Sequence, residues 1–382
     1  MNVLMLNYEF PPIGGGGGQA HLSLLHEYAG RAGLTVDVLT SAPQPGLTVE
    51  TFAENVRIHK VGIQKQDLHL WRRSEVLAWL RRAKAPYRRL LHEQTYDVVH
   101  AFFGFPTGWL CYRTARRVPY IISLRGSDVP GSNARLQLEY KLLGPLVFKP
   151  IWKKAAALVA CSEGLKARAL QFLPSAAIEV IPNGVDLERF HPAPASSEET
   201  GTKARPVKLL TVGRLSVTKR LDLLIAAVDR LRGEGAEVKL DIIGGGALES
   251  ELRQRLDRRN LRGAVTLAGR HGAQEMPEIY RRHDVFVSAS SQEGMSNAML
   301  EAMASGLPIV TTRCEGLDEL ITDNGLVVEE ATVESLCEAI GALVKDRAKC
   351  ETMAAAARKQ AERFTWGAVA ERYLELYERV VA

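Results

Sequence analysis

The feature that most constrains this chain is an alternation. Apolar runs of five to seven residues, each followed by an amphipathic segment, recur along the whole sequence. In the first half they are residues 2–8, 35–40, 97–102, 119–124, 157–162 and 178–182. In the second half they are 207–213, 238–244, 264–269, 284–290, 308–312 and 325–329, with segments such as LDLLIAAVDRLRGEG (221–235) between them. Strand–helix alternation makes parallel sheets covered on both faces. The expected fold class is therefore α/β: two doubly wound, Rossmann-like parallel-sheet domains, 1–190 and 205–365, facing a central cleft. The stretch 191–204, rich in Pro, Ser and charge, reads as the linker. The helix 366–382 is expected to pack back on the first domain. In such sheets ligands bind beyond the carboxyl ends of the strands.

A chain of 382 residues suits two domains. No apolar run approaches the ~20 residues of a spanning helix. The start, MNVLMLNYEF, has neither a basic segment nor a cleavage site and reads as strand. The five cysteines are scattered without metal-site spacing, which fits a reducing compartment. The expected location is cytoplasmic, with a peripheral position at the inner face of the cell membrane as an extension. Residues 1–184 hold 22 Lys and Arg against 13 Asp and Glu, whereas the remainder holds 27 against 31. A basic first half points to an anionic surface or ligand there, or to ordinary surface charge. A nucleic acid partner is not expected.

Five glycines, Gly14–Gly18, follow the first strand and precede QAHLSLLHEYAG, whose apolar side reads as Leu22, Leu25, His26 and Ala29. A helix start offers free N–H groups and the positive end of the helix dipole, and glycines let backbone approach a phosphate. The loop reads as a phosphate contact or as a flexible turn. It is not a usable dinucleotide fingerprint, because no acidic residue ends the second strand.

In the second half, GRLSVTK (213–219) follows a strand, and its Arg214 and Lys219 suit a diphosphate. The block SSQEGMSNAMLEAMASGLPIV (290–310) carries Glu293 in a loop, Ser296–Asn297 as a helix start and Glu301 one turn later. Two carboxylates beside a diphosphate would repel it, so they must meet hydroxyls, while the N–H groups of Gly294, Met295, Ser296 and Asn297 meet phosphate. A carboxylate accepts two hydrogen bonds from a vicinal diol. The natural guest is a nucleotide-sugar.

With IPNGVDLERF, IIGGGALESEL and FTWGAVAERYLELY, these motifs make the chain resemble glycosyltransferase family 4, retaining enzymes of the GT-B fold. The resemblance covers almost the whole chain. It implies that Glu293 holds donor-sugar hydroxyls, Glu301 the ribose, Arg214 and Lys219 the diphosphate, and that Gly16 or Gly17 closes over it. Arg270 and His271 would meet the base. The donor implied is a UDP-sugar first and a GDP-sugar next, and the acceptor a glycan, a lipid-linked sugar or a small molecule. Three motifs depart from the family: HAFFGFPTG keeps only His100, LRGSD has Arg125 where a histidine is usual, and the loop at 244–247 is GGGA.

The expected catalytic group is Arg214, Lys219, Glu293 and His100, with His100 bonding a sugar hydroxyl or acting only as a strand-end histidine. Arg125 and Asp128 are acceptor-side candidates or a surface pair and helix cap. No Asp-x-Asp occurs, so no metal and no cofactor is expected. The stretch 71–93 carries seven Lys and Arg with Trp71, Trp79 and Tyr87. It reads as a helix with a stripe of Val76, Trp79, Leu80 and Ala83, broken in two by Pro86. It would lie on an anionic membrane or pack with a solvated basic face. Two further functions compete: another sugar-nucleotide enzyme such as an epimerase, and a non-catalytic membrane-binding module.

Overall fold

The computed structural model describes residues 1–65, 67–68, 70–131, 137–193 and 205–382; the expected linker lies outside the described residues from 194 onward. Contacts divide the chain into two units, Met1–Gly184 with Trp366–Ala382, and Val185–Thr365.

Among the described residues the first unit holds an eight-stranded sheet. Its strands are β1 (Asn2–Asn7), β2 (Thr35–Ala42), β3 (Leu47–Ala53), β4 (Val56–Gly62), β5 (Val98–Phe102), β6 (Tyr120–Leu124), β7 (Ala157–Ala160) and β8 (Ile178–Val180). The order is β3-β4-β2-β1-β5-β6-β7-β8, parallel except for the antiparallel pair β3–β4. That edge hairpin was not foreseen. Its outer strand is exposed along most of its length, so it lacks the buried apolar run that marks the others.

The helix Gly16–Tyr28 begins inside the glycine run and buries Ala20, His21, Leu24, Leu25 and Tyr28. His26 and Ala29, expected inward, are exposed. The helix Arg73–Glu93 is continuous, which corrects the expected break at Pro86. Proline forgoes one backbone bond there, but Trp79, Ala83, Tyr87, Leu90 and Leu91 bury one face and hold the helix. Val76 and Leu80 from the expected stripe are only half-buried.

The second unit holds a wholly parallel six-stranded sheet, ordered β11-β10-β9-β12-β13-β14. Its strands are β9 (Val207–Val212), β10 (Val238–Ile243), β11 (Val265–Gly269), β12 (Val285–Ser288), β13 (Ile309–Thr312) and β14 (Gly325–Val328). Leu209, Leu240, Val285, Val287 and Val310 pack against the inner faces of helices Leu221–Gly233 and Val333–Lys345 to form its core.

Each sheet has one place where the order reverses. In the first it lies between β1 and β5, in the second between β9 and β12. Loops leaving the two strands there diverge to opposite faces and open a crevice. The glycine run follows β1, GRLSVTK follows β9 and the Glu293 loop follows β12. Topology thus puts the chemistry-bearing motifs at the two switch points.

Candidate active site

The second unit gathers most of the expected residues. Loops after β9 and β10 lie in contact: Gly213 N–H donates to Ile243 O at 2.9 Å and Leu215 N–H to Gly245 O at 3.1 Å. A Cβ on Gly244 would stand 1.9 Å from Gly213 O, and one on Gly246 would stand 2.5 Å from Leu215 O. Glycine at 244 and 246 is therefore required by backbone packing, and the loop supports the backbone on either side of Arg214. Arg214 itself is exposed, and no side-chain partner is seen among the described residues.

Lys219 ends the short helical turn Val217–Lys219 and runs back over Gly213, its Cε 3.0 Å from where a Cβ would be. Its Nζ forms an ion pair with Glu293 Oε1. Ser291 N–H and Oγ both donate to Thr218 O, at 2.9 and 3.2 Å, which ties the β12 loop to the β9 loop. The side chains of Lys219 and Glu293 are 22% and 16% exposed, so the pair is shielded yet reachable.

The helix Asn297–Ala304 starts directly after this loop, with Ser296 Oγ accepting from Met299 N–H at 3.3 Å. Gly294 and Met295 lie against Gly316, where φ is +77° and a Cβ would stand 2.5 Å from Gly294 O. Glu301 is half-buried one turn along. Tyr280 Oη, from the helix Met276–Arg281, donates to its Oε2 at 2.8 Å. Burial raises the Glu301 pKa from 4.5 to about 7, against the pull of the Tyr280 bond and the Arg189 charge. Tyr280 and Arg189 were missed in the sequence. A buried tyrosine before β12 carries no local sign in the sequence that it orients a carboxylate.

Arg270 follows β11 and lies over Gly245, where a Cβ would stand 2.7 Å from its Nε. His271 is exposed, its Nδ1 3.2 Å from Glu275 Oε1.

In the first unit Gly14 has φ +97°, which favours glycine. Gly15 caps the helix and Gly16–Gly18 form its first turn. A Cβ on Gly17 would stand 2.8 Å from the Phe103 ring, and one on Gly18 would stand 2.8 Å from Glu9 O. Nothing stands within 4 Å of the Cβ position at Gly15. Phe103, just past β5, adopts φ +74°, a strained conformation for an aromatic residue at the switch point.

Two expectations are corrected here. His100 is fully buried in the middle of β5, between β1 and β6. Its Nδ1 lies 2.7 Å from Tyr377 Oη and its Nε2 2.7 Å from Ser123 Oγ. Burial holds its pKa well below the usual histidine value. Both nitrogens are engaged inside the unit, so His100 is not presented to a sugar. Asp128 is also spent: its carboxylate accepts from Gly104 N–H at 2.7 Å and Arg125 N–H at 2.8 Å, closing the loops after β5 and β6. Arg125 is half-buried and donates to Asn183 Oδ1 at 2.7 Å.

The comparisons with known proteins agree with this architecture. Residues 15–189 match Glycosyltransferase Family 4 and residues 206–346 match Glycosyl transferases group 1. The D-inositol 3-phosphate glycosyltransferase of Kineococcus radiotolerans is 30% identical, over 96% of this chain and 91% of its own. Among solved structures, sucrose-phosphate synthase from Thermosynechococcus elongatus superposes with a TM-score of 0.79 at 20% identity, covering 99% of this chain and 98% of that one. Anabaena HepE in complex with UDP-glucose gives 0.76 at 20% identity, covering 99% and 100%. Two doubly wound units of this kind are the GT-B architecture, and the protein is an enzyme that transfers glycosyl groups. The chain belongs to glycosyltransferase family 4.

Proposed function

We propose that the enzyme transfers a sugar with retention from a UDP-sugar, with a GDP-sugar the next choice, to a hydroxyl of a glycan, lipid-linked or small-molecule acceptor. The observation that carries this is the Lys219–Glu293 pair at the β9–β12 switch point, beside exposed Arg214 and the start of helix Asn297–Ala304. The UDP-glucose complex of HepE supports the choice of base.

On donor binding, Lys219 leaves Glu293 for the diphosphate, and Glu293 turns to sugar hydroxyls. In the reaction the bond from the anomeric carbon to the β-phosphate oxygen breaks, and the acceptor oxygen bonds that carbon from the same face. The acceptor proton passes to a departing phosphate oxygen. Arg214, Lys219 and the helix N–H groups neutralise the charge that grows there, usually the largest catalytic term. Glu301 holds the ribose diol. Arg270 and His271 border the base. The reading requires no metal and no cofactor.

The exposed cations of 71–93 support a peripheral seat on an anionic membrane through charge. Trp79 and Tyr87 are buried in the core and take no part. Among the described residues no helix is long and apolar enough to cross a membrane. Incubation with a panel of nucleotide-sugars tests the reading. Release of UDP or GDP with a glycosylated acceptor is the expected result; an isomerised, still intact donor would favour epimerisation instead.

A further inference from the structure

The connection from β6 to β7 ends in the helix Gln137–Leu143, the π-turn Gly144–Phe148 and the helix Lys149–Lys154. It carries three leucines into solvent: Leu142 is 62% exposed, Leu143 44% and Leu146 78%. Single exposed leucines are ordinary, but three within five residues form a patch. Aromatic rings of the same segment pack on one another and on their neighbours. The Tyr140 ring lies 4.7 Å from Phe148, Phe148 lies 5.6 Å from Phe105, and Trp152 lies 5.2 Å from Phe172. Lys141, Lys153 and Lys154, from the helices on either side of it in sequence, are all exposed.

The sheet order says what shares this face. The crossovers β4→β5, β5→β6 and β6→β7 all step the same way across the sheet, and right-handed connections put their helices on one side. Contacts agree: Tyr87 Oη lies 2.6 Å from Thr114 Oγ1, and Tyr120 Oη donates to Ile151 O at 2.5 Å. The helix Arg73–Glu93 therefore lies on the same side of the sheet as the leucine segment, with the helix Thr107–Tyr112 between it and Lys149–Lys154. Opposite its buried row of Trp79, Ala83, Tyr87 and Leu90 runs an outward row, Leu77, Arg81, Lys84 and Arg88, at helical spacing. Leu77 is 58% exposed, and none of the three cations of that row pairs with an acid among the described residues.

A second copy of this face would meet like charge. Three leucines also fall far short of the roughly 800 Å² per partner of a stable protein interface. A few exposed apolar side chains on a face that also carries exposed cations suit a lipid interface. We infer that this face of the first unit seats on an anionic phospholipid leaflet, with Leu142, Leu143 and Leu146 entering the acyl boundary and the Arg81–Lys84–Arg88 row lying among headgroups. The inference rests on the anionic-surface part of the proposed function and adds what penetrates.

Co-sedimentation with phosphatidylglycerol-containing vesicles, against pure phosphatidylcholine, tests it. The wild type pellets with the anionic vesicles. Leu142→Ser with Leu146→Ser lowers that affinity by about tenfold or more, with the salt dependence kept. Replacing Arg81, Lys84 and Arg88 with Ala weakens binding at low salt and reduces the salt dependence. L146W pellets like the wild type, and its added fluorescence shifts to the blue on vesicles. Nucleotide affinity in every variant reports that the protein is folded. If the serine variant pellets like the wild type and L146W emission does not move, the leucines stay out of the bilayer and the inference fails, while the charge-only seat stands. A wild type that stays in the supernatant at low salt overturns both. Binding to heparin or RNA without vesicle binding also overturns both, and moves the face to a soluble polyanion.

Discussion

Tyr280 Oη donates to Glu301 Oε2 at 2.8 Å, which leaves Oε1 as the oxygen best able to meet a new donor. A diol offers two O–H donors, so it needs the carboxylate ionised. Burial places the Glu301 pKa at about 7. Nucleoside diphosphate affinity is therefore expected to rise with pH through about 7, and Glu301→Gln is expected to flatten that part of the profile. Tyr280→Phe removes a bond that favours the carboxylate, so the midpoint moves upward. Calorimetric titration of UDP across pH, wild type against both variants, separates Glu301 from the titration of the phosphate itself. A midpoint unmoved in Tyr280→Phe would count against this positioning role.

The same raised pKa links to stability with a definite sign. A group whose folded pKa lies above its unfolded value of 4.5 contributes fully below 4.5, and the contribution is lost as pH rises to about 7. The ligand-free wild type should lose melting temperature relative to Glu301→Gln over that window and no further above it. Thermal melts at pH 4.5, 7 and 8.5 check this.

Arg214→Ala and Lys219→Ala should each lower turnover by ~10²-fold or more at saturating donor, the scale for losing a preorganised partner of developing charge. The two should differ without donor. Lys219→Ala leaves Glu293 a shielded, unpaired carboxylate and should cost stability, whereas exposed Arg214 should not. Steady-state kinetics with parallel denaturant unfolding distinguishes them.

Replacing His100 should act on stability. His100→Ala takes one hydrogen-bond partner from Tyr377 Oη and one from Ser123 Oγ, which keeps Tyr373 Oη at 2.8 Å, and leaves a cavity in the core, at a cost of about 1–3 kcal/mol in all. Turnover per folded molecule should stay near the wild-type value. A large fall in kcat with unchanged unfolding free energy would restore His100 to the chemistry.

Activity should survive EDTA, since Arg214 and Lys219 are assigned the leaving-group charge. Complete loss restored by Mg²⁺ or Mn²⁺ would overturn that assignment.

Local signals carried the fold a long way. Buried parallel strands are continuous apolar runs, so β1, β5, β12 and β13 could be read directly, and Ser296 marked its helix start by the chemistry of a cap. What could not be read depended on distant partners. DVVHAF does not say that a C-terminal helix will supply Tyr377 to His100, nor does LRGSD say that Asp128 will be consumed by Gly104 N–H. Pro86 looked like a break because local propensity contains no term for the packing of Trp79 and Tyr87. Tyr280 was silent because a tyrosine that orients a carboxylate and one that fills space share the same apolar pattern.

The order of the chain has a consequence for biosynthesis. Residues 185–365 form the second unit without interruption, whereas the first unit includes Trp366–Ala382. Tyr373 and Tyr377, which close over Ser123 and His100, leave the ribosome only after the whole second unit. The second unit can thus complete its core during translation, while the first, although begun earlier, waits with the face around β5 uncovered. A nascent chain stalled before residue 366 would expose that face to chaperones, and a released one would not.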